Sequence, residues 1–428
     1  MRTSDDKVRA VVLDRLERDP ALWSDFLALC DCGGRRAGTP SEERALALAQ
    51  RLLGAIGRVR VEKVGYAGWR LKEASLRLAD GTALVCNPLL GSQSTEAAGV
   101  SGEVCDLGRG AQEDFERRAG DIPGRLVLVR HEYPFSPQHV HRRRKLAWAM
   151  ERGAAGFIIA NPHSGSGPVS GSSGRAGQAG IPAIGTDFES AARLSQAGLP
   201  KVHLKVSAED YAGTTSVLIL DLPGKSPEWV VLSAHIDGHD LAESAMDNGT
   251  GVAAALAIAR ACAPHAADCS RGLRVCLFSA EEWALAGSKQ YLEQLSADDL
   301  RSVALNVNLD TLAGDDRLTA LTSEFAGLDA FVRDFAKDEG IELGTYLPTM
   351  SNSDHYNFAQ RGIPALRLVA GFDRPESNIR YILTRGDTRE KVERSDLASA
   401  TRVAAMLVWR GLTMSGEDEA AVRQPPGR

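Results

Sequence analysis

The chain has 428 residues, 43% of them hydrophobic and 25% charged, with a formal net charge of -6; this is the profile of a soluble globular protein with room for two or three domains. The acidic balance gives no reason to expect nucleic acid or an anionic membrane surface as a partner. The opening M-R-T-S-D-D-K-V-R-A lacks the apolar core of a secretory signal and no later run is long enough to span a bilayer, so a cytoplasmic protein is expected.

From about Val8 to Leu29 the apolar spacing is helical, and the turn C-G-G-R-R-A-G-T-P ends at Pro40. A second helix runs to about Leu53, with Thr39 or Ser41 as its cap and Glu42 and Glu43 in its first turn. V-R-V-E-K-V, 59–64, alternates as a strand. Between Gly68 and about Val206, short β-like runs (74–78, 83–86, 102–105, 126–129, 156–159) alternate with Gly- and Pro-containing turns. The Gly- and Ser-rich stretch 164–180 reads as a mobile loop, and the basic run His141 to Lys145 as a solvated helix face. This portion has no obvious cluster of metal ligands, so 68–212 is expected to be a domain inserted between the two parts of another, 1–67 and 213–414. Seven cysteines, an odd set without a C-x-x-C pair, imply neither a disulfide framework nor a zinc ribbon.

After residue 213 the pattern becomes strand, loop, helix, repeatedly. Apolar runs at 230–234, 273–279, 303–309 and 364–369 read as strands; 252–263, 288–295 and 395–412 read as helices. This alternation predicts an α/β fold with a mixed, mainly parallel sheet covered by helices on both faces. Residues 415–428 are expected to be a disordered tail.

In open parallel sheets, ligands bind beyond the carboxyl ends of the strands. The first strand there ends in His235 and Asp237, the second in Glu281 and Glu282, the third in Asp310, and a later loop carries Ser353, Asp354 and His355; Asp247 stands in the loop after His235. So many carboxylates gathered together repel strongly without a cation, and imidazole with carboxylate is the donor set of a metal such as zinc. Neighbouring side chains at a strand end diverge, so Glu282 can serve as a ligand while Glu281 faces a bound water as general base. His239 is close by, with Asp240 as its expected structural partner.

The motifs H-I-D at 235–237, A-M-D-N-G at 245–249, S-A-E-E at 279–282, N-L-D at 308–310 and S-D-H-Y-N-F-A-Q-R-G-I-P-A at 353–365 resemble those of the M28-type zinc exopeptidases. The early G-R-R-A-G-T-P, with G-D-I-P-G-R-L-V-L-V-R from Gly120 and G-I-P-A-I-G from Gly180, most resembles the carboxypeptidase Q branch, whose insert is a protease-associated domain. The resemblance implies Asp247 as a carboxylate bridging two zinc ions, His235 and Asp310 as further ligands of one and Glu282 as a ligand of the other. It also implies Glu281 as the base, Asp237 as the group orienting His235, and a cis peptide between Asp247 and Asn248.

The family's fifth ligand is a histidine shortly before a G-D-T motif. Here G-D-T stands at 386–388 and Leu383 at the histidine position. Three readings follow: His355 supplies the imidazole, a single ion binds on His235, Asp247 and Asp310, or the centre is vestigial. Arg374, Arg380 and Arg385 lie near this motif and are candidates for a substrate carboxylate.

The expected function is metal-dependent hydrolysis of an amide bond in a small peptide or aminoacyl conjugate, with one or two zinc ions. A mononuclear acyl-transfer enzyme of the glutaminyl cyclase type and a non-catalytic binding homologue are the competing readings. The resemblance also leaves a homodimer open as the assembly.

Overall fold

The computed structural model describes residues 4–196 and 201–424. The first predicted helix is two, Ser4–Glu17 and Ala21–Asp31, with Pro20 between them; proline lacks the amide a continuous helix needs. The helix Pro40–Gly54 carries Glu42 and Glu43 in its first turn, although Thr39 makes no side-chain cap.

The main sheet has ten strands and is parallel at its centre. Trp229–His235 pairs in parallel with Gly272–Phe278 on one side and Val303–Leu309 on the other, and Ala365–Ala370 extends it in parallel. All four central strands are buried almost throughout, which explains why they read as unbroken apolar runs rather than alternating ones. Thr250–Cys262, Ala-rich and nearly fully buried, packs on one face together with Arg394–Thr413. Tyr291 and Leu292 of Ala286–Gln294 and Phe358 of His355–Gln360 pack with Val231, Cys276 and Phe278 in a separate apolar cluster.

Two long strands of the main sheet, Val59–Arg77 and Val202–Leu222, pair antiparallel over nearly their whole length, and the chain between them forms the insert. The insert has its own five-stranded sheet, with Leu126–Arg130 and Gly156–Ala160 parallel at its centre and an apolar core around Phe115, Val127 and Phe157.

Several expectations need correction. The stretch 164–180 is not loose throughout: Val169, Ser170, Ser172 and Ser173 are buried. The run 141–145 is not a solvated face, because Arg142 and Lys145 are buried and Lys145 Nζ donates to Glu132, Arg109 O and Arg130 O. The predicted tail is helical over Gly416–Val422, with Ser415 and Asp418 as a reciprocal cap and Val422 buried; residues 425–428 lie outside the described residues. Among the described residues the seven cysteines form no disulfide. No helix among the described residues is long and apolar enough to cross a membrane.

Candidate active site

The strand Trp229–His235 ends at the carboxyl edge of the sheet, where a buried arginine shapes the loop that follows. Arg35 donates Nε to Ile236 O at 2.9 Å, Nη1 to Glu243 O at 2.6 Å and Nη2 to Ser244 O at 2.6 Å. These bonds satisfy the loop's inward-facing carbonyls and return the chain to the sheet edge at Asp247. The peptide after Asp247 is cis. Asp387 of the G-D-T motif fixes the same turn, accepting from Met246 N at 2.7 Å and Asp247 N at 3.3 Å. Burial, and then the Asp247 charge, push the Asp387 carboxyl up to about 7. Ser244, Ala280, Thr311 and Leu383, at the turns around the site, adopt positive φ without being glycine; such backbone gathers where function overrides local preference.

His235 is the centre of the cluster. Its Nε2 stands 3.1 Å from Asp247 Oδ1 and 3.5 Å from Asp310 Oδ1. Its Nδ1 lies 3.1 Å from the backbone carbonyl of Asp237, while the Asp237 carboxylate is farther, at 3.7 Å. That carboxylate is bound elsewhere, since Oδ1 accepts from Glu281 N at 3.1 Å and Oδ2 from Glu282 N at 3.2 Å. One buried aspartate thus holds both glutamate amides, and the two side chains diverge. Glu281 joins His235 and Asp310 in a buried group whose potential ligand atoms all lie within 4.8 Å of one another. Glu282 turns to His239, with Oε1 2.7 Å from Nε2. The expected His239–Asp240 pair does not form; Asp240 is drawn outward to Arg36, at 2.7 Å.

Asp310 accepts from Ser353 Oγ and from Thr311 Oγ1, and pairs with Arg367 Nη2 at 3.0 Å. Burial works against its charge, yet Arg367 and His235 hold its pKa below the usual carboxylate range. Burial likewise disfavours a charged His235, but Asp310 and Glu281 outweigh it and raise the pKa of the ring. Glu281 is raised by burial and then, against the pull of His235, by Glu282, Asp354 and Asp310. This edge therefore draws positive charge to its centre, and the converging imidazole and carboxylate donors fit a metal ion.

The cavity above is lined by Asp247, Glu281, Glu282 and Asp310 from below and by Leu383 from the side. Its roof is the insert: His131, Phe135, His139, His141, Arg142, Arg143 and Ser172. The strap 131–141 is docked on the main domain, with Asp373 N donating to Phe135 O at 2.6 Å and the Arg367 guanidinium 4.5 Å from the centre of the Phe135 ring.

Residues 218–408 match the model of peptidase family M28, and residues 91–194 match that of the PA domain. The chain belongs to peptidase family M28, with a PA domain set into it. It is a metallopeptidase by family. Aminopeptidase YwaD of Bacillus subtilis (strain 168) is 26% identical over 401 residues, which cover 92% of this chain and 84% of that protein. Carboxypeptidase Q of Bos taurus is 26% identical over 368 residues, covering 79% of this chain and 74% of its own. The solved structure of BSAP, a zinc aminopeptidase from Bacillus subtilis, superposes with a TM-score of 0.74 at 25% identity, covering 92% of this chain and 95% of that one.

Within this M28 site, the structure brings together His235, Asp237, Asp247, Glu281, Glu282 and Asp310, as their positions after strands suggest. His355 is buried at the start of its helix, outside the ligand group; neither ring nitrogen makes a hydrogen bond of normal geometry, and burial followed by the Arg367 charge lowers it to about 3. Arg374, Arg380 and Arg385 do not line the cavity. Arg374 pairs with Asp315 at 2.9 Å, Arg380 lies over the Tyr381 ring at 4.8 Å, and Arg385 donates to Gly165 O at 2.8 Å. The arginines that do line it are Arg142, Arg143 and Arg367. Sequence reasoning passed over Arg367, which sits inside an apolar strand where a lone charge signals a buried partner.

Proposed function

We propose that this protein is a zinc-dependent hydrolase of amide bonds in small peptides or aminoacyl conjugates, acting as an exopeptidase or dipeptidase. The observation that carries this reading is the convergence of buried His235 and Asp310 with half-buried Asp247, and Glu281 beside them, at the floor of a roofed cavity. The zinc of the structurally similar Bacillus aminopeptidase supports the choice of metal.

A zinc ion held by His235, Asp247 and Asp310 would supply an acidified water and a Lewis acid for the scissile carbonyl. Glu281 takes the water's proton and passes it to the leaving amine. Asp237 holds Glu281 in position for this by anchoring its amide, and the Asp237 carbonyl fixes the tautomer of His235. The strap 131–141 closes the cavity above and limits it to short substrates.

One ion is the reading this chain favours. Leu383 presents a side chain without a donor, and the Glu282 carboxylate is already engaged by His239. The test is Glu281→Gln, assayed on a dipeptide panel with zinc content measured in parallel. The expected result is a fall in kcat of about 10²- to 10⁴-fold with zinc content unchanged. Unchanged kcat would remove Glu281 from the mechanism, and no hydrolysis by the wild type with zinc or manganese would favour a binding role.

A further inference from the structure

We propose that Arg142, supplied by the inserted domain, is the receptor for a substrate carboxylate, and that the substrates are small amides that carry a free carboxylate, such as dipeptides and N-acyl amino acids. The inference rests on the hydrolytic reading above and names its substrate class.

Arg142 opens the helix Arg142–Glu151, whose N-terminus is capped by His141 Nδ1 accepting from Arg143 N at 3.2 Å. Its side chain is held in place: Nε donates to Ser172 O at 3.0 Å, and the guanidinium lies against the backbone of Gly171. At Gly171, φ is +113°, and a Cβ there would stand 2.1 Å from Arg142 Cζ. Only glycine leaves this space at that backbone conformation.

Five arginines are buried among the described residues: Arg35, Arg142, Arg271, Arg274 and Arg367. Four are fully engaged. Arg35 holds loop carbonyls, Arg271 pairs with Glu228 and Glu419, Arg274 with Asp221, and Arg367 with Asp310. Arg142 differs: among the described residues it has no ion-pair partner, and Nη1 and Nη2 have no acceptor. A buried guanidinium with two open nitrogens costs desolvation unless an anion meets it, and a carboxylate matches its planar fork.

The open side faces the catalytic cavity. Glu282 does not serve as the missing anion, since its Oε1 is 2.7 Å from His239 Nε2. The cavity acids whose charge Arg142 feels most are Glu282, Glu281 and Asp247. A carboxylate on Arg142 therefore belongs to a molecule lying in the catalytic cavity.

The experiment compares Ala-Leu with its C-terminal amide on the zinc-loaded enzyme, in wild type, Arg142→Gln and Arg142→Lys. Wild type is expected to favour the acid by about 10- to 100-fold in kcat/KM, with the difference in KM. Arg142→Gln should abolish that preference, and Arg142→Lys should retain part of it. Thermal shift with leucine and leucinamide gives a readout independent of turnover: leucine alone should stabilise wild type, and neither should stabilise Arg142→Gln. Equal use of acid and amide by wild type, or an acid preference that survives in Arg142→Gln, overturns the proposal. If neither substrate is cleaved, the hydrolytic reading fails, and stabilisation by leucine over leucinamide still decides the role of Arg142.

Discussion

At position 383 an apolar side chain looks into a cavity otherwise floored by carboxylates, and its isobutyl group offers nothing to a metal. Replacing it should therefore change metal content more than fold. Leu383→His is expected to raise bound zinc from about one to about two equivalents per chain, since imidazole completes a donor set with Glu282 and Asp247; elemental analysis of the dialysed protein reads this directly. A variant that still binds one equivalent would mean that the Glu282–His239 pair keeps the second position closed. His235, Asp237, Glu281, Glu282 and Asp310 were legible in the sequence because each ends or closely follows a strand, so topology brings them together, whereas Asp247 lies in the loop beyond and was marked by its A-M-D-N-G motif. Partners remote in sequence were not: His239 meets Glu282 rather than the adjacent Asp240, and Arg367 meets Asp310 across the sheet. A basic run such as 141–145 carries no sign of which member turns inward.

The loop 236–244 depends on Arg35 more than on its own residues. Arg35→Ala would leave the carbonyls of Ile236, Glu243 and Ser244 buried without donors, at about 1 to 3 kcal/mol each. We expect a loss of at least about 3 kcal/mol in urea unfolding, together with faster zinc loss to chelator. The strap 131–141 makes a second prediction, in pH. Burial holds His139 down to about 4 and puts His131 and His141 well below the ordinary imidazole value. The unfolded chain thus binds more protons than the folded one between about pH 6.5 and 4. The contribution of the strap is complete above the upper value and declines as pH falls toward the lower. Amide exchange at 131–141, corrected for intrinsic rate, should accelerate from pH 7 to pH 5; unchanged protection would contradict the neutral packing of these rings. Longer elements were readable from their apolar runs, while Leu318–Leu321 and Gly344–Tyr346 are too short to show a period. The acidic run after Ser415 resembled a solvated tail, yet it forms the first turn of a capped helix, where acidic side chains favour the N-terminus.

Across the whole molecule, the two domains share one continuous antiparallel ladder, Val59–Arg77 with Val202–Leu222. The ladder, with one register shift between Leu71 and Glu73, leads to the insert that roofs the sheet edge. A composition-based boundary at 67/68 or 212/213 falls inside this ladder, where Ala67 pairs with Ala212 and Gly68 with Tyr211 and the residue type shows no change. The carboxylates of Asp237, Asp247, Glu281, Glu282 and Asp310 converge below that roof, so a bound cation should stabilise the fold. Chelation is expected to lower the melting temperature, and zinc to restore it, because a ligand bound only by the folded state adds its binding free energy to stability. The most direct test of the account is a titration of metal-free protein with zinc, following dipeptide hydrolysis. The account predicts no activity without metal, a linear rise saturating near one equivalent per chain, and no activity at any zinc level in His235→Ala. Activity that persists in chelator, or a wild type that remains inactive when zinc is bound, would contradict it.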